Sequence, residues 1–302
     1  MAVRRKRVAE KRAAVSLSEL GAIAEGLAAL GATKRLAALI EASLLHPMQG
    51  ELERQFSIER WCRAPKDSTE GGPPFRFDMG SPKGEAGRWA DREDQVEVRL
   101  SAPFWVMPTS VTYGMWCLMA PKADHAKGWG EDARLPVTHV SWFEASLYAR
   151  WLDHWLRELL PALIPMGHRV ALPTEAQREF FTRADTTTRF WSGDADEDLE
   201  RVGWFGGNSE GRPQPVGEKA GNAWGVHDVH GNVWEWCRDW FHEDLRGGLD
   251  PLGPRRGRDR VLRGGSYWSF ARLCRSAYRD WFWPGDAWVI VGFRLVLSAP
   301  ER

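Results

Sequence analysis

Apolar positions recur at helical spacing near the N-terminus. Leu17, Leu20, Ile23, Ala24, Leu27 and Leu30 form one stripe, which ends at Gly31. A second stripe runs through Leu36, Leu39, Ile40 and Leu44 and stops at Pro47. The pattern predicts a helical extension over residues 16–62, behind a basic tail over 1–15. Residues 63–74, RAPKDSTEGGPP, read as a linker. The texture changes at Phe75. Val96, Val98 and Leu100 alternate like a strand. Ser141 and Glu144 form a capping box ahead of a helix whose apolar face is Phe143, Leu147, Trp151, Leu152, Trp155 and Leu159, closed by Pro161. Thr174 opens another helix through Glu175, Arg178 and Phe181. The remainder is short strands and long loops rich in Gly, Pro and Trp. Such a chain predicts one α+β domain over 75–302, a compact frame with ordered loops and no parallel sheet.

One stretch obeys neither period. GGSYWSFARLCRSAYRDWFWPGDAWVIVGFR, Gly264–Arg294, places 8 aromatics in the 22 residues from Tyr267 to Trp288. The chain holds 18 Trp, enough to serve an irregular core and a recognition surface alike.

Charge and composition narrow the function classes. The formal net charge is zero, which gives no electrostatic argument for nucleic acid or a membrane surface. The basic tail (Arg4, Arg5, Lys6, Arg7, Lys11, Arg12) lacks interleaved aromatics and reads as a solvated segment. No run of about 18 apolar residues predicts a membrane span. The start does not resemble a secretory signal, so a cytoplasmic chain with reduced thiols is the default expectation, with phage or surface display left to a carrier. Cys62, Cys117, Cys237 and Cys274 are too widely spaced for zinc. Arg outnumbers Lys, as in GC-rich genomes or heat-adapted proteins. His227 and His230 flank Asp228 without metal-ligand spacing and read as loop histidines of a structural turn.

Six segments occur in a family-like order: MGS (Met79–Ser81), PFWVMPTSVTYGMWCLM (Pro103–Met119), LPVTHVSWFEASLYARWL (Leu135–Leu152), RVALPTEAQREF (Arg169–Phe180), GNAWGVHDVHGNVWEW (Gly221–Trp236) and RVLRGGS…CRSAYR…GFR (Arg260–Arg294). Together they resemble the formylglycine-generating-enzyme-like, or sulfatase-modifying factor, domain. The resemblance implies a C-type lectin fold built on a twisted antiparallel sheet with flanking helices. It also implies a structural calcium ion on Asp228 and Glu235 side chains and the Gly231 and Val233 carbonyls, oxygen donors that suit a hard cation. The enzymes of this family oxidise a substrate cysteine with copper and oxygen, using two cysteines five residues apart after GGS. Here those positions hold Ser269 and Cys274, and one thiolate cannot form a two-sulfur Cu(I) site. The family's sulfoxide-synthase branch needs an HxxxHxE pattern, which is absent. The reading therefore assigns no catalytic residue and requires no cofactor, with a copper oxidase or a degenerate relative as the alternative.

The tail resembles a second group with this fold, the variable proteins of diversity-generating retroelements. The frame is Arg263, Gly264, Gly265, Ser266, Ala271, Arg272, Cys274, Arg275, Ser276, Ala277, Arg279, Pro284, Gly292, Phe293 and Arg294. The resemblance implies that residues between frame positions, within about 263–294, are rewritten at template adenines. Mutated AAC or TAC codons keep a final C and never encode Trp, Lys, Glu, Gln or Met. Val261–Val296 contains no Lys, Glu, Gln or Met, and the Trp residues depart from the rule. The expected variable surface is Tyr267, Trp268, Ser269, Phe270, Leu273, Tyr278, Asp280, Trp281, Phe282, Trp283, Asp286, Trp288, Val289 and Ile290. The arginines of the frame can bridge loops by bidentate bonds, and exposed aromatics then act as low-entropy anchors for a protein or cell-surface ligand.

Overall fold

A computed structural model describes residues 61–64, 74–119, 129, 132–159, 164 and 167–299. The basic tail, nearly all of the helical extension and most of the linker lie outside the described residues.

Both expected capping signals act. Ser141 N–H and Oγ donate to Glu144 Oε2 at 2.7 and 2.8 Å, starting α2 (Trp142–Leu159) behind the short α1 (Tyr113–Met119). Phe143, Leu147, Trp151, Leu152 and Trp155 of α2 are buried, as their spacing requires. Thr174 caps α3 (Glu175–Arg183) and exchanges bonds of 3.0 Å with Gln177. A five-residue α4 (Asp196–Glu200) follows.

The strands build three sheets. β1 (Cys62–Ala64), β4 (Phe104–Val106), β11 (Val296–Ser298) and β5 (Arg169–Ala171) form the first. β10 (Val291–Gly292), β6 (Trp234–Trp240), β8 (Arg260–Arg263) and β9 (Arg279–Phe282) form the second. β2 (Phe75–Met79), β3 (Val96–Leu100) and β7 (Gly248–Leu249) form the third. The pairing is mainly antiparallel, with two short parallel contacts, β10 on β6 and β7 on β3. The sequence pattern assigns Cys62 to the helical extension and Arg63 and Ala64 to the linker. The structure corrects this: they form β1, paired with β4, and Trp61 joins the core. Three residues are too few to show an alternation, and the pairing comes from β4 more than forty positions away.

One core cluster gathers around α2 and includes Trp116, Tyr148, Trp151, Trp236 and Phe293. A second lies under α3, with Phe104, Phe180, Phe181 and Trp224.

The polar sequence of α3 is nearly all buried, including Glu175, Arg178, Glu179 and Arg183. Such a helix needs partners of opposite charge. Glu175 receives Arg279 Nε at 2.6 Å and Nη2 at 3.0 Å, with Arg263 Nε at 3.6 Å. Glu179 receives Arg263, Arg183 Nε at 2.9 Å and Gly80 N at 2.8 Å. Glu235 on β6 receives Arg178 Nε at 2.8 Å, Arg294 Nη2 at 3.0 Å and Ser110 Oγ at 2.7 Å. Burial alone raises a carboxyl's pKa. At Glu235 the guanidinium groups of Arg294 and Arg178 outweigh it, and at Glu175 those of Arg279 and Arg263 do, so both lie below the usual carboxylate range. Arg263 and Arg279 face each other across β8 and β9, where like charges repel. Their shared contact with Glu175 offsets that repulsion.

Removing one partner from such a cluster leaves uncompensated buried charge. Glu235→Gln is expected to lower the unfolding free energy by about 3–5 kcal/mol in urea titration. Glu210→Gln, in the exposed pair with Arg212, is expected to cost under about 1 kcal/mol.

Candidate functional site

The C-terminal stretch runs from β8 through a loop to β9, then through a second loop to β10 and β11. Its path is fixed from beneath. Gly264 and Gly265 take φ values of +100° and +78°. A Cβ on either would meet Arg178 Nη2 at 2.6 Å or Cys274 Sγ at 2.5 Å, so both conformation and space demand glycine. Ser269 Oγ accepts from Ser266 N at 2.9 Å and lies 3.1 Å from Ser266 Oγ, closing the first turn. Arg275 reaches Glu93 through Nη1 and Nη2, both at 2.8 Å, and Glu85 at 2.6 Å. Arg294 adds bonds to the Met107, Pro108 and His227 carbonyls at 3.0, 2.9 and 2.7 Å.

The structure divides the expected variable surface. Trp268, Phe270, Trp283 and Trp288 are exposed, at 62, 70, 42 and 54 %. They are four of the seven exposed large hydrophobics among the described residues. Leu273, Asp280, Trp281, Phe282, Asp286, Val289 and Ile290 are half-buried. Of these, Leu273, Phe282 and Ile290 pack on the main core. Trp281 stacks on Phe241 at 4.1 Å and covers the Arg92 guanidinium at 4.6 Å.

Tyr267, Ser269 and Tyr278 correct the sequence expectation, because their side chains are buried. The Tyr267 ring meets Trp129 edge-on at 5.7 Å, and Tyr278 packs between Trp89 at 6.0 Å and Trp234 at 5.9 Å. Ser269 is consumed by its bonds to Ser266.

The two side chains expected to hold calcium do not fit that ion. Both oxygens of Glu235 are held by guanidinium groups, and Oε1 also accepts from Ser110. Two cations at that carboxylate repel a third. Asp228 has Oδ2 on Gly217 N at 2.7 Å and a buried, unpartnered Oδ1. The two side chains therefore offer one spare oxygen towards the 6–8 that calcium takes. No group of three or more His, Cys, Asp or Glu among the described residues is arranged to hold a metal. Gly231 donates its N–H to the Gly264 carbonyl at 2.7 Å, and the Val233 side chain is buried. Burial pushes Asp228 up to about 6.

The copper positions fit no better. Cys274 lies buried against Phe190, Leu199, Phe205 and Ala271, and burial pushes its thiol up to about 12. The residue opposite it in the pair is the hydroxyl of Ser269. His230 is structural: Nε2 accepts from Trp191 N at 3.0 Å, which leaves Nδ1 as the donor to the Cys274 carbonyl at 2.7 Å. Burial pushes it down to about 3, so it stays neutral.

Sequence reasoning missed the acidic partners of the frame, Glu85, Glu93, Glu175 and Glu179. Their only signal was charge inside RVALPTEAQREF and inside an exposed-looking loop. It also missed Trp89, which is exposed beside Trp281, and Arg92 beneath them.

The model of the sulfatase-modifying factor enzyme 1-like domain matches residues 68–299. The chain belongs to that family. Among similar proteins of the family is a formylglycine-generating enzyme of Streptomyces coelicolor, 35% identical over 159 residues, covering 47% of this chain and 44% of the relative. One of Thermomonospora curvata is 32% identical over 222 residues, covering 64% and 63%. The chain thus spans less than two thirds of these curated relatives. Among solved structures, Treponema denticola variable protein 1 superposes with a TM-score of 0.64 at 23% identity, covering 78% of this chain and 94% of that one. PvdO from Pseudomonas aeruginosa gives 0.64 at 25%, covering 75% and 92%. The fold is the C-type lectin type expected for the family, and no helix among the described residues is long and apolar enough to cross a membrane.

Two measurements test this site. The Asp228 carboxyl is raised from 3.8 to about 6 in the folded chain, so its contribution to stability is complete below about pH 4 and is lost as pH rises through 6. Asp228→Asn, neutral at every pH, is expected to stabilise the chain by about 1–3 kcal/mol at pH 7.5 and by little at pH 4. A calcium ligand would show the reverse, a loss at neutral pH.

Separately, single Ser substitutions at Trp268, Phe270, Trp283 and Trp288 are expected to cost under about 1 kcal/mol each, and Tyr267→Ser at least about 3 kcal/mol, by chemical denaturation. Equal costs would remove the division between surface and frame.

Proposed function

We propose that this chain is a ligand-binding variable protein of a diversity-generating retroelement. Its C-terminal stretch would present diversified side chains to a protein or cell-surface target. The observation that carries this reading is the burial split along one continuous segment. Fourteen of the fifteen frame residues are buried, and only Arg272 is exposed, with its guanidinium over the Phe270 ring at 5.3 Å. Trp268, Phe270, Trp283 and Trp288, all outside the frame, point outward. A surface that changes from variant to variant must not carry the folding energy, and here the buried cores supply that energy while the Arg–Glu clamps set the course of the loops. Exposed aromatics supply contact area at low entropy cost, as in antibody loops.

Family membership favours a second reading, an oxidase of the formylglycine-generating type. The donor set weighs against it, since a buried protonated thiol and a hydroxyl replace the thiolate pair. No catalytic residue and no cofactor enter the proposed reading, and a carrier protein would account for display of the chain on a phage or cell surface.

Sequencing the DNA beside the gene tests the proposal. The expected result is a near-copy of the segment encoding residues 260–296, differing at template adenines, next to a reverse transcriptase gene. A neighbourhood with neither sinks the retroelement reading.

A further inference from the structure

The second loop of the stretch, WPGDAW (Trp283–Trp288), has its own architecture. Asp286 N–H donates to the Trp283 carbonyl at 2.9 Å, closing a four-residue turn. The Trp283 ring lies flat on Gly285: a Cβ there would come within 1.6–2.4 Å of three ring carbons. Only glycine leaves room for the indole in this position. Trp288 follows on the same loop and packs beside Phe282 at 6.1 Å.

This region carries carboxylates outside any ion pair, although the charge of Arg92 reaches Asp280. Neither Asp280 nor Asp286 forms an ion pair among the described residues. Asp280 takes the Trp281 N–H on Oδ1 and alternates onto the same face of β9 as Phe282. The nearby cations are already occupied. Arg92 lies against both Trp89 at 4.4 Å and Trp281 at 4.6 Å, two rings 5.9 Å apart. Arg260 sits between Trp142 at 3.7 Å and Trp240 at 3.5 Å, with Nη1 on the Arg238 carbonyl. Trp142 is bonded through its N–H to the Pro284 carbonyl, so one of these pairs abuts the loop.

The fold thus packs a guanidinium against two indoles twice at this edge. The loop offers two more exposed indoles and an unpaired carboxylate, with no cation of its own. We infer that Trp283, Asp286 and Trp288 form a site for a basic side chain, an arginine in preference to a lysine, on an exposed segment of the protein target. The preference follows from the planar guanidinium, which stacks on an indole face and pairs with a carboxylate at once. The inference rests on the reading of this stretch as a binding surface and names the partner's chemistry there.

The probe is the peptide acetyl-Gly-Arg-Gly-amide, titrated to millimolar concentration while indole N–H resonances are followed by ¹H–¹⁵N NMR. Single Trp→Phe variants assign the signals. Trp283 and Trp288 are expected to shift saturably with the arginine peptide, less with its lysine counterpart and hardly at all with the citrulline isostere, which lacks the charge. The Trp268 signal is expected to stay in place. Asp286→Asn is expected to weaken binding about fivefold or more, as loss of a charge-assisted contact does. Equal shifts with arginine and citrulline overturn the inference, as do uniform shifts of every exposed indole. Should Asp286→Asn fail to fold, the arginine–citrulline contrast on the unmodified chain decides alone. A negative result beside a genuine template repeat removes the cation site and leaves the diversified surface standing. A positive result without the repeat does the converse.

Discussion

The fold hangs on guanidinium groups held by buried carboxylates. Arg263, Arg275, Arg279 and Arg294 come from the C-terminal stretch, and Glu85, Glu93, Glu175, Glu179 and Glu235 receive them. Buried ion pairs add little net stability compared with apolar packing, because desolvation offsets the attraction. What they add is geometry. A planar fork bonded at two or three points has one acceptable placement, and apolar side chains have many. A loop clamped in this way keeps its course whatever its outward side chains are.

That separation explains the mixed texture of the stretch. Frame and guest residues alternate without a helical or strand period because two requirements share one chain. The division is sharper than composition suggests. Tyr267 and Tyr278 look like contact residues by type, yet both rings pack inward. Trp281 is held by Phe241 and Arg92 and acts as part of the support. As a Trp it also departs from the adenine rule. Trp268, Trp283 and Trp288 depart from the rule as well and are exposed, so packing does not explain their retention.

Local signals in the sequence were reliable where the physics is local. The boxes at Ser141 and Thr174, the stripe of α2 and the alternation of β3 each depend on neighbours within a turn or two. The frame arginines were recognisable as bridging residues, but their partners were not. Arg294 and Glu235 are 59 positions apart, and Arg275 and Glu93 are 182 apart. No pattern along the chain records such pairings. β1 escaped for the same reason, since its identity as a strand comes from β4.

Glu235 shows how a motif can be legible while its occupant is not. The GNVWEW block places a carboxylate at the centre of the domain, where an unpaired negative charge would be costly. Any compact positive group solves that problem. In this chain Arg178 from α3 and Arg294 from the closing GFR both reach it, together with Ser110. Each brings further bonds that a spherical ion cannot make. Arg178 holds the Val229 carbonyl, and Arg294 holds the Met107, Pro108 and His227 carbonyls. The carboxylate therefore ties the end of the C-terminal stretch to α3 and to two other loops. Those bonds return the loops to one place independently of the side chains that face outward.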